Sequence, residues 1–245
     1  MSASIDQNNS SNSPVFFSLV ILCYRAEEGI IPFIEKVHRL LDQYQFNWEM
    51  ILVANYHKDS GDRTPEVCLN LKKRLRNIQV VSEPKEGMMG WDLRKGLASA
   101  QGQYIAFIDG DGQFPVEAVF SCLAKIQFED LDLVKTYRVH RRDGWYRRTI
   151  SFVYNLLFKT LFGGHLSDAN SKPKILTRKA YEQLNLQSDA WFIDAEIMIK
   201  AGKLKFKIAE VPTLFYTLED RASFIKVSAI FEFIRNMFKT RFGKN

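Results

Sequence analysis

The chain of 245 residues is 46% hydrophobic and 25% charged, an ordinary globular balance that excludes collagenous and wholly disordered chains. Its length fits one large α/β domain or two small ones. Lys and Arg outnumber Asp and Glu by 34 to 28, a net charge of +6, so the expected partners are anionic: nucleic acid, phosphate groups or a membrane surface.

Residues 1–14 are polar, rich in Ser and Asn and free of basic residues. They read as a disordered tail rather than a signal peptide. Val15–Cys23 is a continuous apolar run of strand length, and Glu27–Tyr44 is helix-compatible. Trp48–Ala54 predicts a strand, Pro65–Arg76 a helix with Pro in its first turn, and Ile78–Ser82 a short strand. Gly90–Ala100 predicts a helix, Tyr104–Ile108 a buried strand, Pro115–Gln127 a helix and Leu131–Lys135 a strand. This alternation implies right-handed βαβ units and a mostly parallel sheet.

The texture changes after residue 136. A basic segment (Arg138–Arg148) leads into a Phe- and Leu-rich helical pattern (Trp145–Phe162) that ends at Gly163-Gly164. Lys172–Leu176 predicts a strand, and Thr177 an N-cap. Trp191–Ala201 predicts a helix, and Phe206–Val211 a strand. Nothing marks an internal repeat or a linker, so one domain is expected over 15–221. Residues 15–135 would bind a nucleotide and 136–221 an acceptor. The three cysteines (Cys23, Cys68, Cys122) are odd in number and lack metal-type spacing. They are expected to be reduced and to pack as small hydrophobes.

The most informative stretch is Tyr104-Ile-Ala-Phe-Ile-Asp109-Gly-Asp111-Gly-Gln113-Phe-Pro115. A buried strand ends in two carboxylates one residue apart. In open α/β sheets ligands bind beyond the carboxyl ends of the strands. Mg²⁺ or Mn²⁺ prefers such hard oxygen donors, often with substrate phosphates completing its shell. Asp109 would face a ribose or the metal, and Asp111 and Gln113 would complete the shell. An Asp-Gly turn without a metal has the same sequence.

This motif resembles the Asp-x-Asp-x-Gln-x-Pro variant found in family 2 glycosyltransferases of the GT-A fold, in the polyprenol-phosphate (dolichyl-phosphate mannosyltransferase-like) group. The resemblance covers roughly residues 16–228. It implies a single-domain α/β GT-A fold and a nucleotide-diphospho-sugar donor (UDP- or GDP-hexose). It also implies Mg²⁺ or Mn²⁺ and inverting transfer of a hexose. Tyr24 and Glu27 match the family's Pro-x-Tyr-Asn-x-Glu, while Leu22 and Arg25 do not. By the resemblance Tyr24 packs near the base and Glu27 hydrogen-bonds base or ribose. Equally, Glu27 is a carboxylate placed to favour a helix start. The family's Asp-Asp after the second strand is replaced by Ala54-Asn55. Asn55 is the substitute base reader, since its amide both donates and accepts. Glycines at 87, 90 and 96 resemble the family's entry to the third helix, with Asp92 and Arg94 the side chains expected to reach the donor.

Lys135, Arg138, Arg141, Arg142, Arg147 and Arg148 form a cationic run, either a solvated surface or a phosphate trap suited to Arg forks. Arg138 and Arg147 best fit the family's pair. Asp168 and Ser171 match Asp-x-x-Ser-Gly-Phe, whereas Lys172-Pro173 replaces Gly-Phe. Asp168 is placed at the reaction centre, with Lys172 and Lys174 adding charge beside it. Asp194 and Glu196 either face the acceptor or sit on a solvated helix start. A sugar hydroxyl needs a general base. A phosphate monoester is already anionic and needs cationic positioning. The dense positive charge beside Asp168 therefore favours a polyprenyl phosphate acceptor over a saccharide or glycolipid hydroxyl.

Val227, Ile230, Phe231, Ile234 and Phe238 share one face of a helix expected over 222–245. That helix either packs on the domain or lies flat in a membrane interface. Arg221 and Ser223 keep part of a family motif before it. No run approaches the ~18 uncharged apolar residues of a membrane span. A cytoplasmic protein, peripheral on that face of a membrane, is expected. Nucleic acid is not an expected partner, because no recognition motif appears and an Asp-x-Asp cluster repels phosphate unless a metal bridges it. An inactive relative, suggested by the loss of the Asp-Asp pair, is opposed by the retained Asp109, Asp111, Gln113 and Asp168.

Overall fold

The computed structural model describes residues 14–140 and 168–216. Expectations for the N-terminal tail, the Trp145–Phe162 helix, Arg147 and the 222–245 helix lie outside the described residues. In chain order the elements are β1 (Phe17–Leu22), α1 (Ile31–Leu41), β2 (Trp48–Val53), α2 (Thr64–Arg74), β3 (Ile78–Val81), α3 (Met89–Ser99) and β4 (Tyr104–Asp109). Then follow α4 (Glu117–Phe128), β5 (Leu133–His140), β6 (Lys174–Thr177), α5 (Arg178–Leu184), α6 (Ile193–Lys203) and β7 (Ile208–Leu214).

The expected mostly parallel α/β architecture is present, as one seven-stranded sheet ordered β3-β2-β1-β4-β6-β5-β7. Strands β1 and β2 are buried along their whole length, which is why they read as unbroken apolar runs rather than alternating ones. Alternation decides the layers. Phe17, Leu19 and Ile21 face a core with Ile34 and Val37 of α1, Val67 and Leu71 of α2, and Val119 and Leu123 of α4. Val20 and Leu22 face the opposite core, with Leu93 and Leu97 of α3, Leu184 of α5 and Ile197 of α6.

Two differences from the sequence reading have physical causes. The helix expected from Glu27 begins as a 3₁₀ turn over Glu27–Ile30, and the α-helix starts at Ile31 with Pro32 in its first turn. Strand β5 runs on to His140 because β7 pairs with it in parallel as far as Leu214. Of the two readings left open for Asp194 and Glu196, the solvated helix start does not hold: both are buried. As expected, Thr177 caps α5, its hydroxyl accepting the Ala180 N–H at 3.1 Å. The three cysteines are free and buried. Burial pushes the Cys122 thiol up to about 12, and a hydrogen bond with Cys68 together with burial raises Cys23.

Register places the site. Leu22 pairs with Val53 on one side and Asp109 on the other, so β1, β2 and β4 stop at one level. Strand β6 runs antiparallel to both β4 and β5. Its N-terminal end, preceded by Asp168–Pro173, therefore enters at the edge where β4 and β5 leave. Helix α3 lies close on the sheet because Gly96 allows it: a Cβ there would meet Val20 Cγ1 at 2.5 Å and Val53 Cγ2 at 2.6 Å. Both neighbours are β-branched and stiff. Gly96→Ala should therefore destabilise the protein by about 1 kcal/mol, the reverse of its effect at an exposed helix position. Urea unfolding checks the sign, and a stabilised variant would contradict the packing.

Candidate active site

Two groups of charged side chains meet at the carboxyl ends of β4 and β5. The first lies on the Asp109-Gly-Asp111-Gly-Gln113 turn. Gly112 has φ 73, a left-handed conformation that favours glycine. Asp111 Oδ1 accepts the Gln113 N–H at 3.0 Å. The Gln113 amide nitrogen donates to the Tyr216 carbonyl at 3.1 Å, and the Tyr216 N–H donates back to the Gln113 carbonyl at 2.8 Å. The segment after β7 thus clamps the turn.

Lys172 approaches Asp109 from the other chain direction. The β4–β6 register pairs Phe107 with Lys174, and two more residues bring Lys172 level with Asp109. The Lys172 ammonium donates to both Asp109 oxygens, at 2.7 and 2.9 Å. It also lies 3.8 Å from Asp194 Oδ2 and 3.3 Å from Met89 Sδ. Behind it Lys174, fully buried, pairs with Asp194 and donates to the Ser171 carbonyl at 2.9 Å. The two lysines titrate in opposite directions. Burial alone would lower Lys172, but Asp109, Asp194 and Asp111 outweigh it and hold its pKa above the usual lysine value. Burial dominates at Lys174, which falls to about 8 despite Asp194.

The second group is Arg138 and Asp168. Arg138 Nε donates to Asp168 Oδ2 at 2.6 Å, and Nη2 to Oδ1 at 2.9 Å. This is a bidentate fork, and its guanidinium lies 5.1 Å from the Phe215 ring centre. Asp168 and Lys172 belong to one short segment, tied to β5 where Thr136 Oγ1 donates to the Lys172 carbonyl at 2.6 Å. Four residues selected from the sequence (Asp109, Asp168, Arg138 and Lys172) thus converge on one edge.

The expected nucleotide pocket is built differently. Tyr24 follows β1 in a turn where Arg25 and Glu27 adopt φ 49 and 45. Non-glycine residues pay roughly 1–2 kcal/mol for such angles, and such strain clusters at functional sites. Thr64 Oγ1 steadies the turn, accepting the N–H groups of Ala26 and Glu27 at 3.0 and 2.9 Å. The Glu27 side chain is exposed. Asn55 and Asp92 are buried, and the Asn55 amide nitrogen donates to Asp92 Oδ1 at 2.9 Å, while Asn55 Oδ1 accepts the Glu83 N–H at 2.8 Å. Lys85 pairs with Asp92 and sits 4.6 Å from the Tyr24 ring centre. Burial raises the Asp92 pKa, partly offset by Lys85 and Asn55. Arg94 turns to Asp189 and to the Gln187 carbonyl, tying α3 to the 187–189 segment. The sequence reading missed Lys85, whose one signal is its place just past the end of β3. It also missed the clamp from Tyr216.

Asp109, Asp111 and Gln113 bring two carboxylates and an amide oxygen. That set suits Mg²⁺ or Mn²⁺, which commonly bind through one or two carboxylates with substrate phosphates completing the shell. Among the described residues no cluster of three or more His, Cys, Asp or Glu side chains forms an all-protein cage.

Comparison with known proteins decides the family. The model for "Glycosyl transferase family 2" matches residues 18–184, more than half of the chain. The chain belongs to glycosyl transferase family 2. It is 26% identical over 252 residues to a dodecaprenyl-phosphate galacturonate synthase of Rhizobium johnstonii, covering 99% of this chain and 72% of that protein. It is 24% identical over 247 residues to the dolichyl-phosphate beta-glucosyltransferase of Saccharomyces cerevisiae, covering 91% and 73%. Among solved structures, it resembles mannosyl-3-phosphoglycerate synthase from Rubrobacter xylanophilus with a TM-score of 0.70 at 17% identity, covering 94% of this chain and 74% of that one. Glucosyl-3-phosphoglycerate synthase from Mycobacterium tuberculosis, solved with Mn²⁺, UDP and glucosyl-3-phosphoglycerate, gives 0.69 at 18% identity, covering 94% and 81%. The fold is GT-A, and the family 2 transferase is a hexosyltransferase.

The buried lysine gives a pH signature. Lys174 sits at about 8 in the fold against an ordinary 10.5. Between those values the unfolded chain holds the extra proton, so this group adds stability as pH rises and loses it as pH falls through about 8. Urea unfolding of the native chain and Lys174→Met, compared from about pH 7 to pH 10.5, should show the native chain gaining on the variant with rising pH. A constant difference would contradict this.

Proposed function

We propose that this hexosyltransferase moves its sugar from a nucleotide-diphospho-sugar, a UDP- or GDP-hexose, to a polyprenyl phosphate, with inversion at the sugar C1. The observation that carries the reading is the bidentate Arg138–Asp168 fork set on the same sheet edge as the Asp109–Asp111 turn. The lipid-phosphate acceptors in the names of its relatives support the same choice.

The roles follow from charge. Asp109, Asp111 and Gln113 would hold Mg²⁺ or Mn²⁺, which supplies neutralisation of the departing diphosphate. Lys172, already at Asp109, adds a fixed positive charge on that side. Tyr24 offers an aromatic face to the base, and Lys85 beside it a cation. Asp92 and Asn55 support this wall from beneath. Glu27, exposed on the turn after Tyr24, lies at its rim, and Arg94 braces α3 against the 187–189 segment. Arg138 is the acceptor-phosphate ligand. Asp168 aligns the guanidinium, whose remaining N–H groups would meet the phosphate, and is not an essential base, because a phosphate monoester arrives already ionised near neutral pH. Arg147 is proposed as the second phosphate ligand. The acceptor phosphate oxygen attacks C1 as the bond to the donor diphosphate breaks, so no proton need be removed first.

A polyprenyl substrate requires contact with a membrane. Among the described residues no helix is long and apolar enough to cross one. Peripheral association on the cytoplasmic face, through the basic run after β5 and the amphipathic 222–245 segment, fits this reading.

The test is a donor screen with Mg²⁺ or Mn²⁺, measuring UDP or GDP release with and without polyprenyl phosphate. Release should require the lipid phosphate, and Asp111→Ala should lower kcat by about 10²-fold or more with its melting temperature preserved. Transfer to a soluble sugar or glycolipid hydroxyl, with none to polyprenyl phosphate, would overturn the acceptor assignment.

A further inference from the structure

Both oxygens of Asp109 face one ammonium, that of Lys172. The Asp109 side chain is 30% exposed, whereas that of Lys172 is 3% exposed. The carboxylate is therefore open to solutes while its counter-ion is sealed behind it. The ammonium has little room to leave. Its backbone carbonyl accepts from Thr136 Oγ1, Met89 Sδ lies 3.3 Å from Nζ, and Asp194, the next carboxylate at 3.8 Å, is already paired with Lys174. Asp111 is two residues away on the same turn.

We infer that Lys172 is a built-in cation at the Asp109–Asp111 turn, which keeps that turn from holding a divalent metal tightly until a nucleoside diphosphate arrives with it. A metal that binds Asp109 must share both its oxygens with a buried ammonium or sit within a few ångströms of a like charge. Two like charges at that range repel strongly where water is scarce. Asp111 then becomes the main protein anchor. The phosphate oxygens of the diphosphate supply the negative charge that Lys172 has withdrawn from the site. Metal and nucleotide therefore bind jointly, and the empty enzyme holds little metal. Lys172 acts through Asp109 and is a positioning residue for the cation. This inference rests on the metal site proposed above.

The test is calorimetric titration of Mn²⁺ into the full chain without nucleotide, then in saturating UDP. The native protein should bind Mn²⁺ weakly alone and more tightly with UDP. Lys172→Met should tighten Mn²⁺ binding without nucleotide about tenfold or more, and Lys172→Arg, which keeps the charge, should not. A purely structural role predicts the opposite, since loosening the turn weakens metal binding. Thermal melts accompany each variant. If Lys172→Met does not fold, Lys172→Gln, which keeps a hydrogen-bond donor for Asp109 without its charge, gives the same comparison. Unchanged or weaker Mn²⁺ binding in the uncharged variant overturns the inference. Adding Asp111→Asn to each background separates the two readings. If the measured Mn²⁺ affinity depends on Asp111 but not on Lys172, only this inference fails. If it is indifferent to Asp111, the metal site itself is wrong and the inference falls with it.

Discussion

The arrangement of this site depends on one reversal of chain direction. Strand β6 enters the sheet antiparallel between β4 and β5. The segment leading into it is therefore delivered to the carboxyl edge, where parallel α/β sheets collect their ligands. Had β6 run parallel, Lys172 and Asp168 would lie at the opposite edge, away from Asp109 and the outer part of β5. The reversal brings two chemically opposite segments together: an acidic turn leaving β4 and a lysine-bearing segment entering β6.

That meeting has an electrostatic cost which the fold offsets in pairs. Lys135, Lys172 and Lys174 are all buried. Each has a carboxylate: Glu210 at 2.6 Å for Lys135, Asp109 for Lys172 and Asp194 for Lys174. Buried pairs of this kind add little net stability, but breaking one strands a charge. Their value lies in position. They hold a layer of alternating charge under the candidate site. Paired one to one, these lysines add nothing to the net charge of +6; what they place beneath the candidate site is fixed ammonium groups, each with its own counter-ion.

Much of the fold was legible because parallel strands buried on both faces read as apolar runs. The strand ending at Asp109 and the Thr177 cap were plain in the sequence for the same local reasons that form them. Arg138 and Asp168 were each picked out through the family resemblance, but not their bond to each other, since nothing local links positions 30 residues apart. The Lys172–Asp109 contact was not legible, because it follows from the register of an antiparallel pair that pattern alone does not fix. Asn55 and Asp92 were both picked out, but not their bond to each other, which crosses from the end of β2 to α3. Lys85 was missed because a lysine after a short strand looks like any solvated loop residue.

The acidic turn and the cations around it are proposed here as one phosphate-gathering site. The most direct measurement is anomalous diffraction from Mn²⁺ in crystals of the full chain grown with UDP. A single strong peak is expected beside the Asp111 carboxylate, bridged to the diphosphate, with the base against Tyr24. A peak away from the Asp109–Gln113 turn, or a diphosphate bound elsewhere on the sheet edge, would contradict it.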